Sequence, residues 1–135
     1  MDLYAENIMD HYKNPRFKGV LDKSDVSVHQ KEANHSCGDV LELDLQIRKN
    51  KIKKMAFHGQ GCAISQSAMS ILLDEIKDMT LDEILALTKE DIYEMLGVPI
   101  SARRSKCANL GLLTLQNAIL EFQKKPKKYL IEIVG

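Results

Sequence analysis

The chain has no net charge. Its 135 residues carry 19 basic and 19 acidic side chains, so no overall field draws it to nucleic acid or to an anionic membrane, and neither is expected as a partner. No apolar run approaches the roughly 18 residues that a membrane-spanning helix needs. The first residues, Met1-Asp2-Leu3-Tyr4-Ala5-Glu6, lack a basic segment leading into an apolar one, so a soluble cytoplasmic protein is expected. A Cys-x-x-Cys pair is missing, which removes zinc-finger spacing. Cysteines number only 3, an odd count that leaves one thiol over in any disulfide framework. Repeats and low-complexity tracts are absent as well. This length fits one hydrophobic core, so residues 1–135 are expected to form a single domain, with about 126–135 as a C-terminal tail.

What is present is strongly patterned. Tyr4, Ile8 and Tyr12 recur every fourth residue, predicting a helix over 3–13 that stops at Asn14-Pro15. Val26 to Val28 open a strand running toward Lys31-Glu32-Ala33-Asn34-His35. Leu41, Leu43, Leu45 and Ile47 alternate with Glu42, Asp44 and Gln46, the period of a strand with one buried face. Lys49-Asn50-Lys51 reads as a hairpin turn, with Ile52 to Phe57 as the returning antiparallel strand.

From Ala63 the period becomes helical, with Ile64, Ala68, Ile71 and Leu72 on one stripe beside Met69, Leu73 and Ile76. Thr80-Leu81-Asp82-Glu83 has the form of a capping box opening a helix to about Leu87, and Lys89 to Leu96 follows before Gly97. A last helix is expected from Ala102 or Lys106 to Lys125, with Leu112, Leu115, Ile119 and Phe122 inward and Pro126 as its stop. Tyr129 to Val134 suggests an added strand or a partner contact. The order of elements implies an α+β fold, a small antiparallel sheet with helices packed on one face.

The chemistry lies in Ser36-Cys37-Gly38-Asp39, Gly59-Gln60-Gly61-Cys62 and Arg103-Arg104-Ser105-Lys106-Cys107. Each run is polar or bears glycine and adjoins a regular element, which favours a side chain held at a surface. Three thiolates and a carboxylate select zinc or iron-sulfur chemistry over magnesium or calcium, because soft sulfur prefers soft or borderline metals. Cys62 at a helix start and Cys107 beside Arg103, Arg104 and Lys106 are both expected to favour thiolate. Against this stands a plainer alternative, three buried core cysteines. His35 and His58, near the cysteines in sequence, are replacement ligands or proton acceptors near the site or, like His11 and His29, surface or loop residues with local hydrogen bonds. Met55 and Met69 read as core filler rather than copper ligands. Arg103 and Arg104 form either a partner patch or a solvated helix start. The charges are segregated, with eight acidic against two basic side chains over 74–94 and seven basic against two acidic over 95–135.

Tyr4-Ala5-Glu6-Asn7-Ile8-Met9-Asp10-His11-Tyr12-Lys13-Asn14-Pro15-Arg16, then Cys37-Gly38-Asp39, Gly61-Cys62-Ala63-Ile64-Ser65 and Lys106-Cys107, in that order, resemble the IscU / NifU N-terminal-like family of iron-sulfur cluster assembly scaffolds over about residues 3 to 124. The resemblance implies a scaffold or carrier, not an enzyme, that accepts sulfur from a cysteine desulfurase, takes iron, builds a transient 2Fe-2S cluster and passes it to apoproteins. It places ligands at Cys37, Asp39, Cys62 and Cys107, with zinc as an alternative occupant. Cys107 is the candidate sulfur acceptor and Asp39 the weak ligand whose departure starts release. Tyr4 matches a residue used in self-association, so a homodimer during assembly is implied.

Two features depart from the main branch. Lys106 stands where that branch has histidine, as in the SufU branch, whose members are zinc-bound sulfur acceptors for their desulfurase. Yet only 44 residues lie between Cys62 and Cys107, without the SufU insertion. Lys106 is expected near the site without ligating, tuning its charge with Arg104, as a salt-bridge partner of Asp39 or of the cluster. The family's Leu-Pro-Pro-Val-Lys chaperone signal is replaced by Val98-Pro99-Ile100-Ser101-Ala102. A structural zinc domain is a third reading.

Overall fold

The computed structural model describes residues 3–135. Helix α1 (Leu3–Lys13) is followed by a long loop, strands β1 (Val28–Asn34), β2 (Asp39–Arg48) and β3 (Lys51–Gln60), and helices α2 (Ala63–Glu75), α3 (Leu81–Leu85), α4 (Lys89–Leu96), α5 (Ser105–Phe122) and α6 (Leu130–Val134). The strands form one antiparallel sheet in the order β1-β2-β3, with Leu43 of the central strand opposite Gln30 on one side and Phe57 on the other. This is the α+β arrangement expected from the sequence.

The alternation in β2 does what its period implies. Leu41, Leu43 and Leu45 are fully buried beneath α5, together with Phe57 of β3. Burial of such side chains stabilises by about 1.5–3 kcal/mol each. The polar set of β2 is not free in solvent, however, since Asp44 and Gln46 are buried too. The loop over 14–27 crosses that face: the Leu21 N–H donates to Asp44 Oδ2 at 3.2 Å and Gln46 Nε2 donates to Asp25 Oδ1 at 3.3 Å.

At the β2–β3 reversal, Lys49 and Asn50 both take positive φ, 52° and 63°, the geometry that matches a two-residue turn to strand twist. The Leu81 N–H donates to Asn50 O at 3.1 Å, docking the turn on α3. Thr80 and Glu83 form the expected reciprocal cap, with bonds of 3.2 and 2.9 Å.

Four expectations give way. Helix α5 has no single inner stripe: every residue from Cys107 to Leu120 is buried, because the sheet covers one side and α2, α3 and α4 the other, while Phe122 is exposed. Its polar residues survive burial by bonding, as when Gln116 Nε2 donates to the carbonyls of Ile84 and Leu87 at 3.0 Å each. The segment after Tyr129 is a helix rather than a strand. Asn117 holds the main chain of Lys128 from both sides, and the Tyr129 N–H donates to Glu132, so a local cap wins over apolar β propensity. In α1 the buried residues are Ile8 and His11, while Tyr4 and Tyr12 are exposed. His11 is therefore no surface histidine. Its Nδ1 lies 2.7 Å from Ser70 Oγ of α2, which also accepts the Arg16 N–H at 2.8 Å.

Candidate metal centre

Three breaks in regular structure meet at one end of the sheet: the β1–β2 turn, the β3–α2 junction and the first turn of α5. The first brings Cys37 and Asp39, the second Cys62, the third Cys107. One donor atom from each of Cys37, Asp39 and Cys107 lies within 4.8 Å of the others. Cys62 is tied to the same group through its backbone, its N–H donating to Asp39 Oδ1 at 2.9 Å, and its thiol neighbours that of Cys107.

Local geometry explains the placement. Gly38 takes φ 75°, letting the chain turn back into β2 with Asp39 facing inward. Gly61, at φ 154°, has a second constraint, because a Cβ there would be driven into the Asp39 carboxylate and the Ser65 hydroxyl. Cys62 is the N-cap of α2, and Cys107 is the third residue of α5.

The donors differ sharply in exposure. Cys37 is exposed and Cys62 half-buried, whereas Cys107 is 4 % and Asp39 1 % exposed. The expectation of side chains held at a surface thus holds for one end of the group only. The basic neighbours of Cys107 do not govern its thiol either. Burial pushes the Cys107 thiol strongly up from its ordinary value, reinforced by hydrogen bonding with Asp39, then Cys37 and Cys62. Arg103, Arg104 and Lys106 are exposed at the helix start.

Asp39 is held by neutral groups. Oδ1 takes the Cys62 N–H and lies 3.5 Å from Ser65 Oγ, while Oδ2 lies 3.5 Å from Asn34 Nδ2. Among the described residues no ion pair joins Lys106 to it. Lys106 instead lines a groove of about 370 Å³ with Asn34, His35, Ser36 and the start of α6. Soft thiols around a buried carboxylate that lacks a basic partner are a donor set suited to a soft or borderline cation, which would supply the missing positive charge.

The histidines stand apart from this group. His35 is exposed on the β1–β2 turn, and His58 lies on the outer sheet face, 3.8 Å from Glu42. His29 bonds Asp44 there at 2.6 Å. Tyr4 covers Gly97, the left-handed residue ending α4. Sequence reasoning missed Asn34 and Ser65. The available signals were an asparagine three residues before Cys37, where its short side chain can bond a turn, and a serine one helical turn after Cys62.

A family profile described as NifU-like N terminal domain matches residues 3–129. The zinc-dependent sulfurtransferase SufU of Bacillus subtilis is 32% identical over 134 aligned positions, covering 87% of this chain and 89% of that protein. The iron-sulfur cluster assembly scaffold protein IscU 1 of Archaeoglobus fulgidus is 28% identical over 127, covering 93% and 80%. The crystal structure of the N-terminal part of a nitrogen-fixing NifU-like protein from Brucella abortus superposes with a TM-score of 0.73 at 19% identity, over 92% of this chain and 96% of that one, a likeness of fold. The chain belongs to the NifU-like N-terminal domain family.

Proposed function

We propose, with that membership as the premise, that the protein is an iron-sulfur cluster assembly scaffold whose cargo site is made by Cys37, Asp39, Cys62 and Cys107. The observation that carries this is the convergence of the Cys37, Asp39 and Cys107 donors within 4.8 Å, with Cys62 bonded to Asp39. A cysteine desulfurase supplies sulfur as persulfide, iron is bound, an external electron donor of the dithiol or low-potential electron-carrier class reduces that sulfur to sulfide, and a 2Fe-2S cluster is built as cargo and passed to apoproteins.

Sulfur arrives by exchange. An acceptor thiolate attacks the outer sulfur of the donor's persulfide, a new S–S bond forms, and the donor cysteine leaves as thiolate, with no net oxidation. Cys107 is the proposed final acceptor. Its burial and the exposure of Cys37 make Cys37 the thiol that an incoming donor meets first. Asp39, the one hard donor, is the ligand proposed to leave when cargo is released.

The second reading is a zinc-holding sulfur acceptor of the SufU kind, favoured by Lys106 ahead of Cys107 and by the Bacillus subtilis relative. The four donors fit zinc equally well: they would hold the ion, and zinc would stabilise bound thiolates. Anaerobic purification followed by metal analysis and a visible spectrum separates the two. Iron with acid-labile sulfide after incubation with a desulfurase, and cluster transfer to an apo-ferredoxin followed by circular dichroism, are expected of the scaffold. Tightly held zinc and a persulfide mass increment without cluster would replace it by the second reading.

A further inference from the structure

Asn34, the last residue of β1, is 2 % exposed and bonds through its carbonyl and both ends of its carboxamide. The carbonyl accepts the N–H of Cys37 at 3.3 Å and of Gly38 at 2.9 Å. Oδ1 accepts the Ser36 N–H at 3.3 Å. Nδ2 reaches Asp39 Oδ2 at 3.5 Å and, across 73 residues of sequence, Cys107 Sγ at 3.8 Å. One side chain thus shapes the turn carrying Cys37 and touches the two buried donors.

We propose that Asn34 is a positioning residue of the metal centre, whose carboxamide NH2 holds Asp39 Oδ2 and Cys107 Sγ together and aims both at the cation. The inference rests on the four-donor reading above and adds to it a division of labour between the carboxylate oxygens. Oδ1 is committed to the Cys62 N–H at 2.9 Å, with the Ser65 hydroxyl, whose proton goes to the Cys62 carbonyl at 3.0 Å, a further 3.5 Å neighbour. Oδ2 takes the long amide contact, and the carboxylate's further bond, with the Cys107 thiol, is lost when that thiol gives up its proton to ligate, so Oδ2 is the oxygen that turns to a cation. An amide NH2 has no lone pair to donate and carries no charge, so it neither ligates nor repels. With its carboxamide oxygen turned to Ser36, Asn34 supports the donors without competing with them. Partners of this kind typically contribute about 10–100-fold to metal affinity.

Two variants separate the donor from the turn. Asn34→Ala removes both contacts. Asn34→Ser keeps a short oxygen beside the Ser36 N–H but cannot reach Asp39 or Cys107. Cobalt(II), titrated anaerobically into the full chain, is the probe. The parent is expected to give sulfur-to-cobalt charge-transfer bands, and both variants to bind at least about tenfold more weakly with a shifted ligand-field envelope. In metal-free protein, iodoacetamide is expected to label Cys107 faster in both variants, with Cys62 unchanged, by peptide mass spectrometry. Parent-like binding and labelling in Asn34→Ser would overturn the proposal and leave Asn34 a turn former. A parent without sulfur-ligated cobalt would instead sink the four-donor reading, while the labelling still decides whether Asn34 restrains Cys107.

Discussion

The sheet is closed at its two ends by reversals built on different principles. Between β2 and β3 two residues suffice, every turn bond is backbone to backbone, and the turn is docked on the capped start of α3. Between β1 and β2 the chain takes residues 35–38, relies on the side chain of Asn34, and encloses Asp39 with contacts as long as 3.5 Å. One end is shut by regular geometry that leaves nothing to adjust. At the other, short bonds from the Gly38 and Cys62 N–H groups stand beside side-chain contacts of 3.5 Å, and that looser part is what would let the proposed donors regroup around a cation.

The comparison breaks most visibly at Gly61. A Cβ at φ 154°, pressed against Asp39 and Ser65, is expected to cost about 3 kcal/mol. Gly61→Ala should therefore lower the denaturant midpoint clearly and abolish cobalt binding, while amide exchange at Asn50 and Leu81 keeps its parental rank. A variant with parental stability and binding would show that the two ends are equally tolerant. Removing the cap at the far end is the matching test. Thr80→Ala is expected to lose about 1 kcal/mol with an unchanged cobalt spectrum, and any spectral shift would mean the ends are coupled.

A smaller effect, set by pH, arises at His11, which belongs to neither reversal. Burial of the His11 ring pushes its pKa below the ordinary 6.5, with Arg16 adding to the fall and Asp74 and Asp10 opposing it. The unfolded chain then binds the proton more readily than the folded one. Stability is full above pH 6.5 and declines as pH falls from there through the folded value. His11→Gln should flatten that part of a stability-versus-pH curve. An identical slope in the variant would assign the decline elsewhere. Smallest is Lys49→Asn, which suits a left-handed position better and should stabilise by about 0.5 kcal/mol without touching the metal centre.

The same contrast governs what the sequence disclosed. Leu41 to Ile47, the Lys49-Asn50 turn and the Thr80 box are legible because each is fixed by neighbours within a few residues. The four residues proposed as donors stand out as residue types beside breaks in pattern, and the structure brings Cys37, Asp39 and Cys107 together. Burial of Cys107 was not, since it depends on the sheet and α2 closing over α5 from distant parts of the chain. Asn34 was hidden for a related reason: its partners are near in sequence on one side and 73 residues away on the other. His11 read as a surface residue because Ser70, which receives it, lies 59 positions on. Of the two readings of the tail, an added strand or a partner contact, the strand fails because Asn117, which holds Lys128, belongs to another helix.

Cys107 is the first of the unbroken series of buried positions that ends at Leu120, in the helix against which sheet and helices alike are packed. A species held there in the folded chain and not in the unfolded one adds RT ln(1 + [L]/Kd) to the stability of the entire domain, about 2.7 kcal/mol at ~100 times Kd. On the proposed function, loading would then stabilise the whole domain and release would remove that gain. The melting temperature becomes a gauge of how much of the protein is carrying something, readable without any spectrum of the cargo itself.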